Sequence, residues 1–180
     1  MKVFKFGGAS VKDAAGVQNL VLVLEKVGFK ETLIVVSAMG KTTNALEAII
    51  ETYFKNKKQT PKVILALKQF HLDVVKDLFR EESGEVETAI HQLFEELIAF
   101  FNTNKSPDYS FVYDQVVSYG ELLSTTIIHH FVQKKKMDSF WLDARNCIKT
   151  DDYYRSANLN WELTLNEINK QIGKNSLIIT

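Results

Sequence analysis

Thr32-Leu33-Ile34-Val35-Val36-Ser37-Ala38 is the stretch that decides the fold class. It is apolar almost from end to end and shows no in–out alternation, as expected of a parallel strand covered on both faces. Upstream, Val3 to Phe6 reads as a first strand. Val11 to Val27 between them is helical, because Val17, Leu20, Val21, Leu24 and Val27 recur at spacings of three and four. Gly28 closes that helix as a C-cap. Downstream, Thr42 or Thr43 can cap a helix that carries Ala45, Leu46, Ile49 and Ile50.

Further out, Asn56 to Gln59 is polar and lysine-rich, and Pro61 restarts a helix. The pattern stays helical from Lys62 to Phe101 except at Glu81-Glu82-Ser83-Gly84, which predicts a helical hairpin inserted over about 61–103. A loop follows from Asn102 to Asp108, then a helix over about Phe111 to Lys135 despite Gly120. Ser139 to Asp143 is a third strand, Thr150 to Asn160 is irregular, Trp161 to Ile172 is a helix, and Ser176 to Thr180 is a fourth strand. Alternating strands and helices predict a three-layer αβα sandwich around a mainly parallel sheet. The last residues, Leu177-Ile178-Ile179-Thr180, read as the end of a strand, where ligand loops begin in such folds, so the expectation is a truncated domain.

The 180 residues suffice for one buried core. Lysine plus arginine equals aspartate plus glutamate, 22 each, so bulk charge points to neither nucleic acid nor a membrane surface. Any anion site must be local. A single cysteine, Cys147, excludes an intrachain disulfide and fits a cytoplasmic protein. No run reaches the roughly 18 apolar residues of a membrane span.

Three strand and helix ends carry candidate chemistry. In Lys5-Phe6-Gly7-Gly8-Ala9-Ser10, glycines permit close approach of backbone N–H groups to an anion, a following helix adds positive partial charge, and Lys5 adds a full one. The same residues also make an ordinary strand-to-helix turn with a solvent-facing lysine. Ser37-Ala38-Met39-Gly40-Lys41-Thr42-Thr43-Asn44 is hydroxyl-rich and suits either phosphate or carboxylate binding or plain helix capping. It is not a P-loop, because the position five before Gly40 is Val35. In Ser118-Tyr119-Gly120-Glu121-Leu122-Leu123-Ser124, a helical glycine costs roughly 1 kcal/mol relative to alanine. It implies a close neighbour or a bend, and Glu121 beside it suits a ligand ammonium or open solvent. The histidines show no metal-ligand spacing. Asp143-Ala144-Arg145 and Thr150-Asp151-Asp152 are loop-forming and substrate-adjacent candidates.

Together these segments resemble the amino-acid kinase (carbamate-kinase-like) family, and within it the aspartate kinases. Lys5-Phe6-Gly7-Gly8-Ala9-Ser10-Val11 is similar to the family's K-F-G-G-T-S-V opening, and Val35 to Asn44 to its second segment. Ser118 to Ser124 matches the third, S-x-G-E-x-x-S, and Leu142-Asp143-Ala144-Arg145 with Thr150-Asp151 is similar to the family's next segment. The resemblance implies transfer of the ATP γ-phosphoryl group, with Mg²⁺, to the β-carboxylate of L-aspartate, the first step toward lysine, threonine and methionine. It implies that Lys5 neutralises the transferring phosphoryl group and that Gly7, Gly8, Ala9, Ser10 and Ser37 surround the phosphates. It further implies that Thr43 and Glu121 hold the amino acid. Ala9 departs from the usual threonine. The family's later G-R-G-G-S-D segment, the rest of its nucleotide lobe and its ACT regulatory domains lie outside these residues. The resemblance is therefore to the N-terminal, amino-acid-binding lobe, expected to be inactive alone and homo-oligomeric when full length. A kinase for another acid, and a non-catalytic binding module keeping half the fold, stay open at this point.

Overall fold

The computed structural model describes residues 1–172 and 177–180. Its elements are β1 (Lys2–Phe6), α1 (Ala14–Val27), β2 (Thr32–Val36), α2 (Thr42–Lys55), α3 (Thr60–Phe79), α4 (Gly84–Thr103), α5 (Tyr109–Val117), α6 (Tyr119–Lys134), β3 (Phe140–Trp141), α7 (Trp161–Ile172) and β4 (Leu177–Ile179). The strands form one parallel sheet in the order β1-β2-β4-β3. Ser176, where the sequence reading starts the fourth strand, lies outside the described residues.

Period-two alternation divides the sheet between two cores. Ile34, Val36, Leu177 and Ile179, with Phe4 and Phe6, face the main core, which most of the helices share. Leu33, Phe140 and Ile178 face a smaller cluster with Cys147, Ile168 and Ile172, where α7 covers the sheet. β1 is only partly covered there, and Val3 is 63% exposed. The α/β layering read from the sequence is thus the observed one, and helix dominates around a small sheet. The helical hairpin is α3 and α4, which pack on each other and on α6.

Four local expectations change. The first helix begins at Ala14 rather than Val11, because extended Asp13 caps it, its Oδ1 accepting from Gly16 N–H at 2.9 Å. Neither Thr42 nor Thr43 caps α2. Lys41 occupies that position without a side-chain bond, and Thr42 turns inward, fully buried. The helix expected over 111–135 is two, α5 and α6, joined at Ser118. Asp108 caps α5 through Ser110 and Phe111 N–H groups, and α6 starts afresh where Gly120 presses against the end of β2. The third strand is only two residues long, because Asp143 leaves the sheet and accepts from Arg145 N–H to start a 3₁₀ turn.

Candidate functional site

The parallel sheet delivers the ends of β1 and β2 side by side, and backbone bonds lock the two turns together. Ser37 N–H donates to Phe6 O at 3.0 Å, and Gly40 N–H to Gly8 O at 3.0 Å. A side chain at Gly8 has no room: its Cβ would lie 2.4 Å from Ala38 O and 3.3 Å from Gly40 O. Gly7 is the opposite case. A Cβ there would meet nothing within 4 Å, and its φ is not positive, so neither packing nor backbone strain calls for glycine. Among the described residues the N–H groups of Gly7, Gly8 and Ala9 have no hydrogen-bond partner. Ser10 N–H turns back onto Gly7 O at 2.8 Å. Lys5, beside Val35 in the ladder, is exposed and without an ion pair or hydrogen bond among the described residues.

The helix contribution comes from a different helix than the sequence suggests. The Asp13 carboxylate already occupies the N-terminus of α1. At α2 that end is open: it has no side-chain cap, no acidic residue in its first turn, and no partner among the described residues for Thr43 or Asn44 N–H. Such an end attracts anions. Thr43 is half-buried, with its hydroxyl unbonded among the described residues. Lys12, which the sequence reading passed over, packs within 3.5 Å of the position a Gly40 Cβ would take and joins the two turns.

Neighbouring helices hold this edge in shape. Glu121 on α6 accepts Ala38 N–H through Oε1 at 3.1 Å, while Oε2 has no partner among the described residues. Ser124 Oγ donates to Ser37 O at 3.0 Å. Gly120 allows the approach, since its Cβ would lie 2.7 Å from Ala38 Cβ. This is the close neighbour that the helical glycine implied. From α3, His71 reaches Thr42, Nε2 to Oγ1 at 3.4 Å, while Nδ1 meets Leu67 O at 2.9 Å. Because a carbonyl can only accept, the proton sits on Nδ1 and the threonine hydroxyl donates to Nε2. Burial lowers the His71 pKa to about 4, against the weaker opposing effect of its bond to Leu67. Nothing in the local sequence around His71 signals this link across 29 residues.

Asp143 and Arg145, at the end of β3, are paired with each other at 2.7 Å. Burial works against the Asp143 charge, but bonds from Arg145 outweigh it and hold the carboxyl below its usual range. Asp151 is spent on Tyr153 and Asn158 within its own loop. Among the described residues no cluster of His, Cys, Asp or Glu could hold a metal ion, so these residues form no protein cage for Mg²⁺. No described helix is long and apolar enough to cross a membrane.

The family model for the amino acid kinase family matches residues 1–180. The chain belongs to the amino acid kinase family. Among curated relatives, this chain is 24% identical over 151 residues to bifunctional aspartokinase/homoserine dehydrogenase 2 of Escherichia coli, covering 83% of this chain and 18% of that protein. It is 26% identical to an aspartokinase of Chlamydia pneumoniae, covering 89% and 34%. It is 30% identical to chloroplastic aspartokinase 1 of Arabidopsis thaliana, covering 84% and 27%. Its fold matches the crystal structure of E. coli aspartokinase III in complex with aspartate and ADP, with a TM-score of 0.85 and 21% identity over 99% of this chain. The lysine- and aspartate-bound structure matches with a TM-score of 0.84. The chain spans 40% of that solved protein and at most about a third of these curated relatives.

Proposed function

We propose that this chain is the amino-acid-binding lobe, with the phosphate-facing turns, of a cytoplasmic, homo-oligomeric aspartate kinase that transfers the ATP γ-phosphoryl group to the β-carboxylate of L-aspartate. The observation that carries the reading is the shared edge. Unbonded N–H groups of Gly7, Gly8 and Ala9, the open N-terminus of α2 and the unpaired Lys5 stand beside Glu121, which keeps one oxygen free. A set of donors and a cation suits phosphate, and a carboxylate beside them suits an α-ammonium group. Relatives named as aspartokinases support the choice of acid.

In this reading a β-carboxylate oxygen attacks the γ-phosphorus, a new O–P bond forms, and the bond to the bridging oxygen of ADP breaks. A carboxylate is already ionised at neutral pH, so the nucleophile needs no general base. The demand on the protein is positioning and charge stabilisation. Lys5 supplies a point charge at the transferring phosphoryl group. The N–H groups of Gly7, Gly8 and Ala9, with Ser10 and Ser37 nearby, orient the phosphate oxygens. Thr43 and Glu121 orient the amino acid, Glu121 through Oε2 while Oε1 keeps hold of Ala38. Magnesium would arrive with ATP and would offset charge on its phosphates.

The test is aspartate-dependent formation of ADP and of a hydroxylamine-trappable acyl phosphate by the protein expressed from its whole reading frame. Aspartate should support turnover, and glutamate and acetate should not. The 180-residue chain alone should give no turnover. Turnover with another acid but not aspartate would replace the substrate assignment.

A further inference from the structure

His71, in the middle of α3, is fully buried, and the phosphoryl-transfer chemistry gives it no task. Phe70 meets its ring edge-on at 5.0 Å and Phe94 lies 6.0 Å from it, so packing fixes the plane of the imidazole. Nδ1 donates to Leu67 O at 2.9 Å, which leaves Nε2 with a lone pair and no proton. Nε2 faces Thr42 Oγ1 at 3.4 Å and can only take the hydroxyl proton. A contact that long holds little energy, but it decides which way the hydroxyl points.

Thr42 has an alternative. Threonine is among the preferred N-cap residues, and helix ends fray by a residue or so. With α2 starting one residue later, Thr42 would be the cap and its Oγ1 would accept Asn44 N–H. That N–H has no partner among the described residues, and Lys41, in the present cap position, makes no side-chain bond. The start of α1 shows such an end closed, with Asp13 Oδ1 accepting Gly16 N–H at 2.9 Å. At α2 the residue able to close the end is instead turned inward and is 1% exposed.

We propose that His71 is a positioning residue that withholds the Thr42 hydroxyl from the start of α2, so that the N–H groups of Thr43 and Asn44 stay open toward the ligand. A single acceptor nitrogen suits this task, because it draws the hydroxyl proton inward and offers none in exchange. His71 touches neither substrate nor phosphate in this role and acts only through Thr42. Its effect on turnover rests on the aspartate kinase reading above, whereas its effect on the helix start does not.

The experiment measures amide hydrogen exchange at Asn44 without ligand, and kcat/KM with aspartate, in the protein expressed from its whole reading frame. His71→Leu accepts no proton, so Thr42 should turn outward and cap. Asn44 exchange should then slow severalfold, and kcat/KM should fall by about tenfold or more, the scale of losing one backbone donor. Adding Thr42→Val should reverse both changes, because valine has the shape of threonine and cannot cap. Thr42→Val alone should stay close to wild type in both readings. A role in stability alone gives the opposite order, with the double variant weaker than either single one, and that order would overturn the assignment. So would unchanged Asn44 exchange in His71→Leu, or a loss of kcat/KM on the same scale in Thr42→Val alone. The expected exchange pattern without aspartate turnover by the wild type would overturn the aspartate kinase reading and leave His71 in this role.

Discussion

The two turns at the sheet edge leave backbone donors open in different ways. The turn after β1 keeps its donors in the loop: its helix end is closed by Asp13, and the unbonded N–H groups belong to Gly7, Gly8 and Ala9. The turn after β2 keeps its donors in the helix, whose first turn at Thr43 and Asn44 is uncapped. They differ again in support. The first turn is held by Ser10 N–H to Gly7 O and by Gly40 N–H of the second turn to Gly8 O, whereas the second is held from α6 by Glu121 and Ser124 and, through Thr42, from α3 by His71. The first turn thus leans on the second, and the second is steadied in turn by the helices behind it.

The contrast can be broken by experiment. In the aspartate kinase proposed above, Lys5→Ala should lower kcat by about 10²–10³-fold or more, the scale of losing a charge-stabilising group. Unchanged steady-state kinetics would leave the first turn without its cation. Glu121→Gln should raise KM for aspartate by roughly tenfold to a hundredfold, since a charge-assisted hydrogen bond is worth about 1.5–3 kcal/mol. Its thermal stability should be near wild type, because the amide oxygen can still accept from Ala38 N–H. A matching loss of stability would make Glu121 a purely structural brace.

Smaller effects separate the glycines and the histidine. Up to about 3 kcal/mol of stability should depend on pH through His71, from a shift of 6.5 to about 4. The folded pKa lies below the unfolded one, so the unfolded chain binds the extra proton. Stability is therefore full above about 6.5, declines as pH falls toward 4, and is level below. Urea titrations at about pH 7 and pH 4.5 should show this decline, and His71→Leu should flatten it. Gly8→Ala should cost about 1–3 kcal/mol through its clash with Ala38 O, whereas Gly7→Ala should leave the melting temperature nearly unchanged while impairing turnover. Equal melting temperatures for the two variants would remove the distinction between a packing glycine and a ligand-facing one.

Much of this edge was legible because its signals are local. The uniform apolar run of β2 pointed to the parallel sheet, and the glycines after β1 marked the loop. Gly120 announced a close neighbour without saying that it was Ala38. The features that stayed hidden depend on distance in sequence. The split at Ser118 comes from α6 being pressed against β2, and Thr42 turns inward to meet His71, so neither could be read from helix periodicity. The open end of α2 was obscured by two threonines that look like caps, while the closed end of α1 required seeing that Val11 sits in the loop and Asp13 is the cap.

The close approach of Gly120 to Ala38 has a further consequence. The two positions share room for a single methyl group, so they form one steric unit although they lie far apart in the chain. A methyl added at 120 is admissible only if the one at 38 is withdrawn. A methyl at 120 facing the one at 38 would push α6 off the turn after β2 and draw the Glu121 carboxylate away from Ala38 N–H.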